Sequence, residues 1–388
     1  VGLPGVTAAS DPLVGEILDL GVGGVFLNTD NVKSKPQVTA LIKGIRARAG
    51  RPVLVATDEE PGRVSVFRDL VGASHSARRL AAEETPAAAR QQAARVAREL
   101  AAMGIDLDLA PVADLDDGPS SGIIGDRSFS ADPTVAANYA YAYAAGLADG
   151  GVLPVAKHFP GQGRSSDDVH FKAASVTVTL DALQSSDLRP FDTLIRAGIP
   201  AVMMNHLRYS SIDPNLPASL SPRAYQLLRG LGFRGAAITD SVGMAAVNQT
   251  WDVAEAAVRA VSAGADGVLN TGGQTAKDMR HGLVAAVQEG KLDESRVNEA
   301  ASRIVALAGG DPATVTCTTG DWLPEGDFSR QATPAGQTTP SGQTTPGGQT
   351  TPGGRTTPGG QTTAGGQQAV PTTPGREPDQ LTPVDATP

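Results

Sequence analysis

Short apolar, β-branched runs alternate along this chain with longer stretches in which apolar residues recur every three or four positions. The short runs are VGGVFLN (22–28), RPVLVATD (51–58), IDLDLAPVADL (105–115), VLPVAKHF (152–159), AVMMNH (201–206), GAAITD (235–240) and ADGVLN (265–270); Val1–Leu3 reads as the remainder of an eighth. Each is short and apolar enough to form a strand buried on both faces, as in a parallel sheet covered by helices. The stretches between them carry helix punctuation. Thr85 is placed to cap a helix with Pro86 at its first position and Gly104 as its stop, and Ser221–Pro222 repeats that start. Eight such units over roughly 300 residues predict an α/β fold, a (β/α)8 TIM-type barrel in a single catalytic domain, with a doubly wound open sheet as the alternative.

Polar residues mark one end of these runs. Asp58, Lys157, His158, His206, Asp240 and Asn270 all stand at or just past a strand's carboxyl end. In a barrel the loops at that end converge on one mouth, where active sites are built.

The alternation stops near residue 310. Residues 311–388 are rich in Gly, Thr, Pro and Gln, and from about Gly336 a GQTTPG-like hexapeptide recurs. No position of that repeat can build a core, so the tail is expected to be disordered, either a solvated, wall-spanning stalk or a dispensable extension. The organisation read from the sequence is thus a barrel over 1–310, its first strand cut short, followed by the tail. The net charge of -9 argues against a nucleic-acid partner. No apolar run reaches the ~18 residues of a membrane span. Cys317 is the single cysteine and cannot form an internal disulfide. The chain opens with Val1 and shows no signal peptide, so its N-terminal address is expected to lie outside the sequence, with export to the cell envelope or medium as the expectation.

The stretch KHFPGQGRSSDDVH (157–170) holds two of the five histidines. Its Gly and Pro residues turn a strand end into a bendable loop. Asp168 and His170 then stand two apart, and in an extended loop such residues face the same side. A carboxylate holding an imidazole fixes its tautomer and raises its basicity, which suits a general acid/base. Spacing alone fits a surface loop equally well. Asp240, ending a buried run, reads as a nucleophile, a metal ligand or a helix cap, and its position does not choose among them.

KHFPGQG…DDVH, AITDSVGM, IIGDRSFSADP, VATDEEPGRV and LRPFDTLIRAGIPAVMMNH, taken together and standing along the chain in the family's order, resemble the motifs of glycoside hydrolase family 3, in its NagZ-type β-N-acetylglucosaminidase (β-hexosaminidase) branch. The resemblance covers most of 1–305. It implies a retaining mechanism through a covalent glycosyl-enzyme, with Asp240 as nucleophile, His170 as general acid/base and Asp168 orienting it. It implies sugar-hydroxyl contacts from Asp58, Arg127, Lys157 and His158, no cofactor and no metal, and a carbohydrate partner: terminal β-linked N-acetylhexosamine, with cell-wall (peptidoglycan) fragments as the substrate class and the tail associated with the wall. A histidine titrates near neutrality, so one ring can both give and take a proton at that pH.

The pattern departs from the family at several points. Gln162 stands in place of a second His, Pro61 of Gly, Glu59 of Gln, Val66 of an Arg, and Val169 of Ser. These substitutions bear on sugar specificity more than on the reaction class. They leave room for a β-glucosidase or a glycoside phosphorylase on the same site, and, in a different class, for a catalytically weak, wall-binding barrel.

Overall fold

Six of the predicted runs form ladders in the computed structural model: β1 (Gly24–Phe26), β2 (Leu54–Thr57), β3 (Leu107–Asp108), β4 (Leu153–Phe159), β5 (Ala201–Met204) and β6 (Ala236–Thr239). They pair in that order, every pair parallel. The structure describes residues 1–165, 167–316 and 326–328, which belong to one unit, Val1–Thr333. All six strands are shorter than the runs that announced them, most of all at 105–115, where Pro111 interrupts the series of backbone donors.

The other two runs flank the sheet through single bridges, Gly2 to Phe26 and Gly267 to Ile238. They also meet each other, Gly2 N donating to Asn270 O at 2.8 Å. Local chemistry keeps them from forming ladders. Pro4 has no N–H with which to extend one. On the other flank side chains occupy ladder positions: Asp266 Oδ2 accepts from Ala237 N at 2.9 Å, and Thr239 Oγ1 accepts from Leu269 N at 3.1 Å.

Successive side chains of a strand point to opposite faces. Leu54 and Ala56, Leu153 and Val155, and Ala236 and Ile238 pack on the inner face with Phe26, Leu107 and Met203, against Ile304, Leu307 and Ala308 at the end of the helix Glu294–Leu307. The opposite face meets the larger core under the helices. Two residues further along the inner rows stand Asp58, Lys157 and Asp240. The apolar period thus delivers three ionisable groups to one end of the sheet.

The helix Pro86–Met103 is punctuated as its sequence predicts. Thr85 Oγ1 accepts from Ala88 N at 3.2 Å, and Gly104 closes the helix at φ 102°. It packs closely on the helix Pro133–Asp149, because a Cβ on Gly146 would come within 2.2 Å of Arg90 O. The helix Pro222–Gly230 begins at the predicted place, but Ser221 does not cap it: its hydroxyl donates to Asp213 Oδ2 at 2.9 Å.

Packing continues past residue 310. A short helix spans Ala313–Thr316, and Asp327 N donates to Ala197 O at 3.1 Å while Tyr141 donates to Asp327 Oδ2 at 2.8 Å. Phe328 is buried against Tyr141, a contribution of about 2–3 kcal/mol for such a ring. Cys317 and the hexapeptide repeats lie outside the described residues. No described helix is long and apolar enough to cross a membrane.

Candidate active site

A buried ionic cluster forms one wall of the site. Lys157, whose side chain is 1% exposed, reaches Asp58 Oδ1 and, at 2.6 Å, Glu60 Oε1. Glu60 is held in turn by a two-pronged Arg127, Nη2 to Oε1 at 2.7 Å and Nε to Oε2 at 2.8 Å. Burial alone would raise the Glu60 carboxyl, but Arg127 and Lys157 outweigh it and hold the group far below the carboxylate range. Burial likewise works against a charged Lys157, and the carboxylates of Asp58 and Glu60 keep it protonated. Such a cluster is worth keeping only as a whole, since removing one partner strands the others in a low dielectric.

His158 extends this wall. Its Nδ1 lies 2.6 Å from Asp114 Oδ2, while Asp114 Oδ1 accepts from His158 N at 3.2 Å and Gln162 N at 2.7 Å. Asp114 Oδ1 is taken by the two backbone N–H groups and its Oδ2 faces Nδ1, so Nδ1 is placed to donate, while Nε2 lies 3.4 Å from Arg127 Nη2.

Asp240 ends the inner row of β6. Its Oδ1 accepts from Ser241 N at 2.7 Å. Burial would raise this carboxyl too, yet His206, His158, the Ser241 N–H and Lys157 together hold it below its usual value, so it is ionised. His206 is a framework residue. Its Nδ1 meets Ser219 Oγ at 2.7 Å and its Nε2 the Ser241 carbonyl at 2.9 Å; burial lowers its pKa, and the Asp240 carboxylate and the Ser241 carbonyl work against that shift. It fixes the residue beside Asp240. Asn270 turns its amide onto Thr275 Oγ1 (2.7 Å) and Gly272 N (2.9 Å), holding the loop after the 265–270 run.

Asp168 and His170 are paired as expected, Nδ1 to Oδ1 at 2.7 Å, but in a turn and not in extended chain. The same Asp168 oxygen accepts from His170 N at 2.9 Å, so a local Asx-type turn presents the ring. The loop is tied to the segment that follows Asp240: Val169 O accepts from Ala246 N at 3.1 Å and His170 O from Ala245 N at 3.3 Å. Val169, in the place of a smaller polar residue, is fully buried and anchors the loop. The imidazole remains half exposed.

The structure thus gathers Asp58, Arg127, Lys157 and His158 into one network and links the His170 loop to the Asp240 strand end. Glu60 and Asp114 join them without having been singled out from the sequence. Glu60 lies past the end of its run and Asp114 near the end of the 105–115 run, but their partners are 67 and 44 residues away. Glu59, in the place of Gln, is buried, with Ser65 Oγ and Phe67 N (2.7 Å) on its carboxyl; burial pushes it up to about 7. Among the described residues no three His, Cys, Asp or Glu side chains converge as a metal site.

Comparison with known proteins places the chain in a family. The model of the glycosyl hydrolase family 3 N-terminal domain matches residues 5–307. A beta-hexosaminidase, LpqI, from Mycobacterium tuberculosis is 39% identical over 303 residues, 75% of this chain and 76% of that protein. The crystal structure of a family 3 glycosyl hydrolase from Mycobacterium smegmatis superposes with a TM-score of 0.74 at 38% identity, covering 78% of this chain and 93% of that one. A family 3 beta-N-acetylglucosaminidase from Paenibacillus gives a TM-score of 0.77 at 31% identity, over 84% of this chain and 63% of the other. With a family match over most of its length and relatives at this level of identity, the chain belongs to glycoside hydrolase family 3.

Proposed function

We propose that this glycoside hydrolase removes terminal β-linked N-acetylhexosamine from glycans by a retaining, two-step mechanism. The observation that carries the reading is the pairing of two devices on adjoining segments: an ionised carboxylate, Asp240, and an Asp168–His170 dyad whose loop is hydrogen-bonded to residues 245 and 246. Relatives named beta-hexosaminidase and beta-N-acetylglucosaminidase support the choice of sugar. In the first step Asp240 attacks the anomeric carbon as the exocyclic C–O bond breaks, and protonated His170 gives its proton to the leaving oxygen. In the second, neutral His170 takes a proton from water, the oxygen attacks the anomeric carbon, and Asp240 leaves as a carboxylate. A neutral base repels the adjacent carboxylate less than a second carboxylate would. Asp58, Arg127 and His158 would hold the hydroxyls of the bound sugar, with Lys157 and Glu60 fixing their geometry.

The sheet with its two flanking runs is read as a complete (β/α)8 barrel, Val1–Leu3 and 265–270 being the first and last staves. Cell-wall glycan fragments are the proposed substrate class, with export and a wall-associated tail, on the strength of the tail's composition. Fractionation that finds the native protein only in the cytosol would overturn export.

Release of nitrophenol from an aryl β-N-acetylglucosaminide tests the activity. Asp240→Asn is expected to lose at least ~1000-fold in kcat/KM, and His170→Ala about 100-fold or more, with the circular-dichroism spectrum unchanged. A wild type that is folded but inactive, or an Asn variant that keeps full activity, sinks the assignment. Product analysis with and without phosphate separates hydrolysis from phosphorolysis.

A further inference from the structure

We infer that Phe171 is the platform on which the leaving group of the substrate rests, and that this leaving group is itself a pyranose ring. The inference deepens the proposed hydrolase reading and rests on it.

Phe171 is 74% exposed, while the other exposed large apolar side chains among the described residues, Leu180 and Val284, are 36% and 41% exposed. A single exposed apolar residue is ordinary on a protein surface. The position and the support of this one are not. It follows His170 directly, and its ring centroid lies 6.5 Å from the imidazole at a tilt of 53°. Its backbone is held on both sides, N donating to Asp168 O at 3.1 Å and O accepting from Gln249 Nε2 at 3.3 Å. Val169, two residues back, is sunk in the core. The backbone bonds that present the imidazole therefore also fix where the Phe171 side chain leaves the turn.

The chemistry assigns the occupant. The group that protonates the exocyclic oxygen touches the atom where the leaving group begins. A ring attached at that oxygen occupies the space beside the imidazole on the side away from the anomeric carbon, and a phenyl 6.5 Å from the imidazole is within one ring's width of it. A β-configured pyranose carries axial C–H groups on each face, and their positive edge suits the negative face of an aromatic ring. Contact of this kind with a remote part of the substrate helps hold the reacting bond against the acid. The flanking Lys172 is paired with Asp167 at 2.8 Å, so the polar rim of the turn is already satisfied and the phenyl is its free apolar face.

The test compares two substrates that share the same N-acetylglucosaminyl group: N,N′-diacetylchitobiose, whose leaving group is a pyranose, and trifluoroethyl β-N-acetylglucosaminide, whose leaving group has no ring. For Phe171→Ala the loss in kcat/KM on the disaccharide is expected to exceed the loss on the trifluoroethyl glycoside by about tenfold, and Phe171→Trp is expected to restore the disaccharide rate. Equal losses on both substrates would mean that the residue only props up His170, and would overturn the platform. So would no loss on either, or a wild type that cleaves the trifluoroethyl glycoside but not the disaccharide. A wild type that cleaves neither overturns the hydrolase reading first, and the platform with it.

Discussion

Glu59 carries a proton at pH values where a surface glutamate has lost it, and the sign of the consequence can be worked out. Its folded-state pKa is about 7 against an ordinary 4.5, with burial as the main cause. Below 4.5 both folded and unfolded chains hold the proton, and no difference arises. Between 4.5 and 7 only the unfolded chain gives it up, so stability falls as pH rises, by about 3 kcal/mol in all, and then levels. Glu59→Gln keeps an oxygen for Phe67 N and an amide for Ser65 while removing the titration. Urea unfolding should show the Gln variant equal to wild type near pH 4 and more stable by about 3 kcal/mol at pH 8. A constant difference across that range would show that Glu59 does not titrate there. Asp114→Asn probes the neighbouring wall. An amide facing His158 Nδ1 forces the ring proton onto Nε2, against Arg127. The expected result is a 10- to 100-fold fall in kcat/KM with unfolding little altered; an unchanged rate would show that the tautomer is not fixed by Asp114.

The loop at 160–172 is where local sequence and tertiary support divide the work. Gly161 adopts φ 122° at its root, where a Cβ would come within 2.8 Å of Asp187 Cβ. Arg164 then clamps the loop to the buried Asp187 at 2.7 Å. Arg164→Gln is expected to leave Asp187 poorly paired and the loop loose, lowering kcat several-fold and exposing Lys172 to trypsin, while the inner core of the sheet is undisturbed. Retained trypsin resistance with full kcat would show that the clamp is dispensable. The acid–histidine pair in this loop was legible because a two-residue spacing needs no fold to bring it together, even though the turn that forms it differs from the extended chain expected. Asp58, Lys157 and Asp240 were legible because each is an ionisable residue at or near the carboxyl end of a short apolar run. Glu60 and Asp114 were not: what they do depends on Arg127 and His158, 67 and 44 residues away, which only the side-by-side pairing of β2, β3 and β4 brings near. The failed cap at Ser221 has the same origin, since Asp213 competes for its hydroxyl.

At the scale of the whole molecule, the question the alternation leaves open is whether the sheet closes. An open, doubly wound sheet and a barrel share the same runs, and both bury them. They differ at Gly2. In a barrel its N–H meets Asn270 O across the seam, as it does here at 2.8 Å, and a Cβ added to it would lie 2.0 Å from Thr271 O. On a free edge the same Cβ would meet only solvent. The seam also adjoins the chemistry. Thr271 N donates to Ser241 Oγ at 3.3 Å, and Ser241 N is the donor to the Asp240 carboxylate. Gly2→Val should therefore do two things at once. It should destabilise the protein by about 3 kcal/mol, as overpacking against backbone does, and it should depress kcat through Ser241 and Asp240. Gly5→Ala serves as the comparison, because nothing lies within 4 Å of its added Cβ and only its φ of 72° is strained; its cost should be about 1 kcal/mol, with kcat unchanged. If the two variants prove equally mild, Gly2 is not held in a seam and the ring is open in solution. A large loss confined to Gly2→Val, felt in both the unfolding midpoint and the turnover, requires the first and last runs to stand side by side.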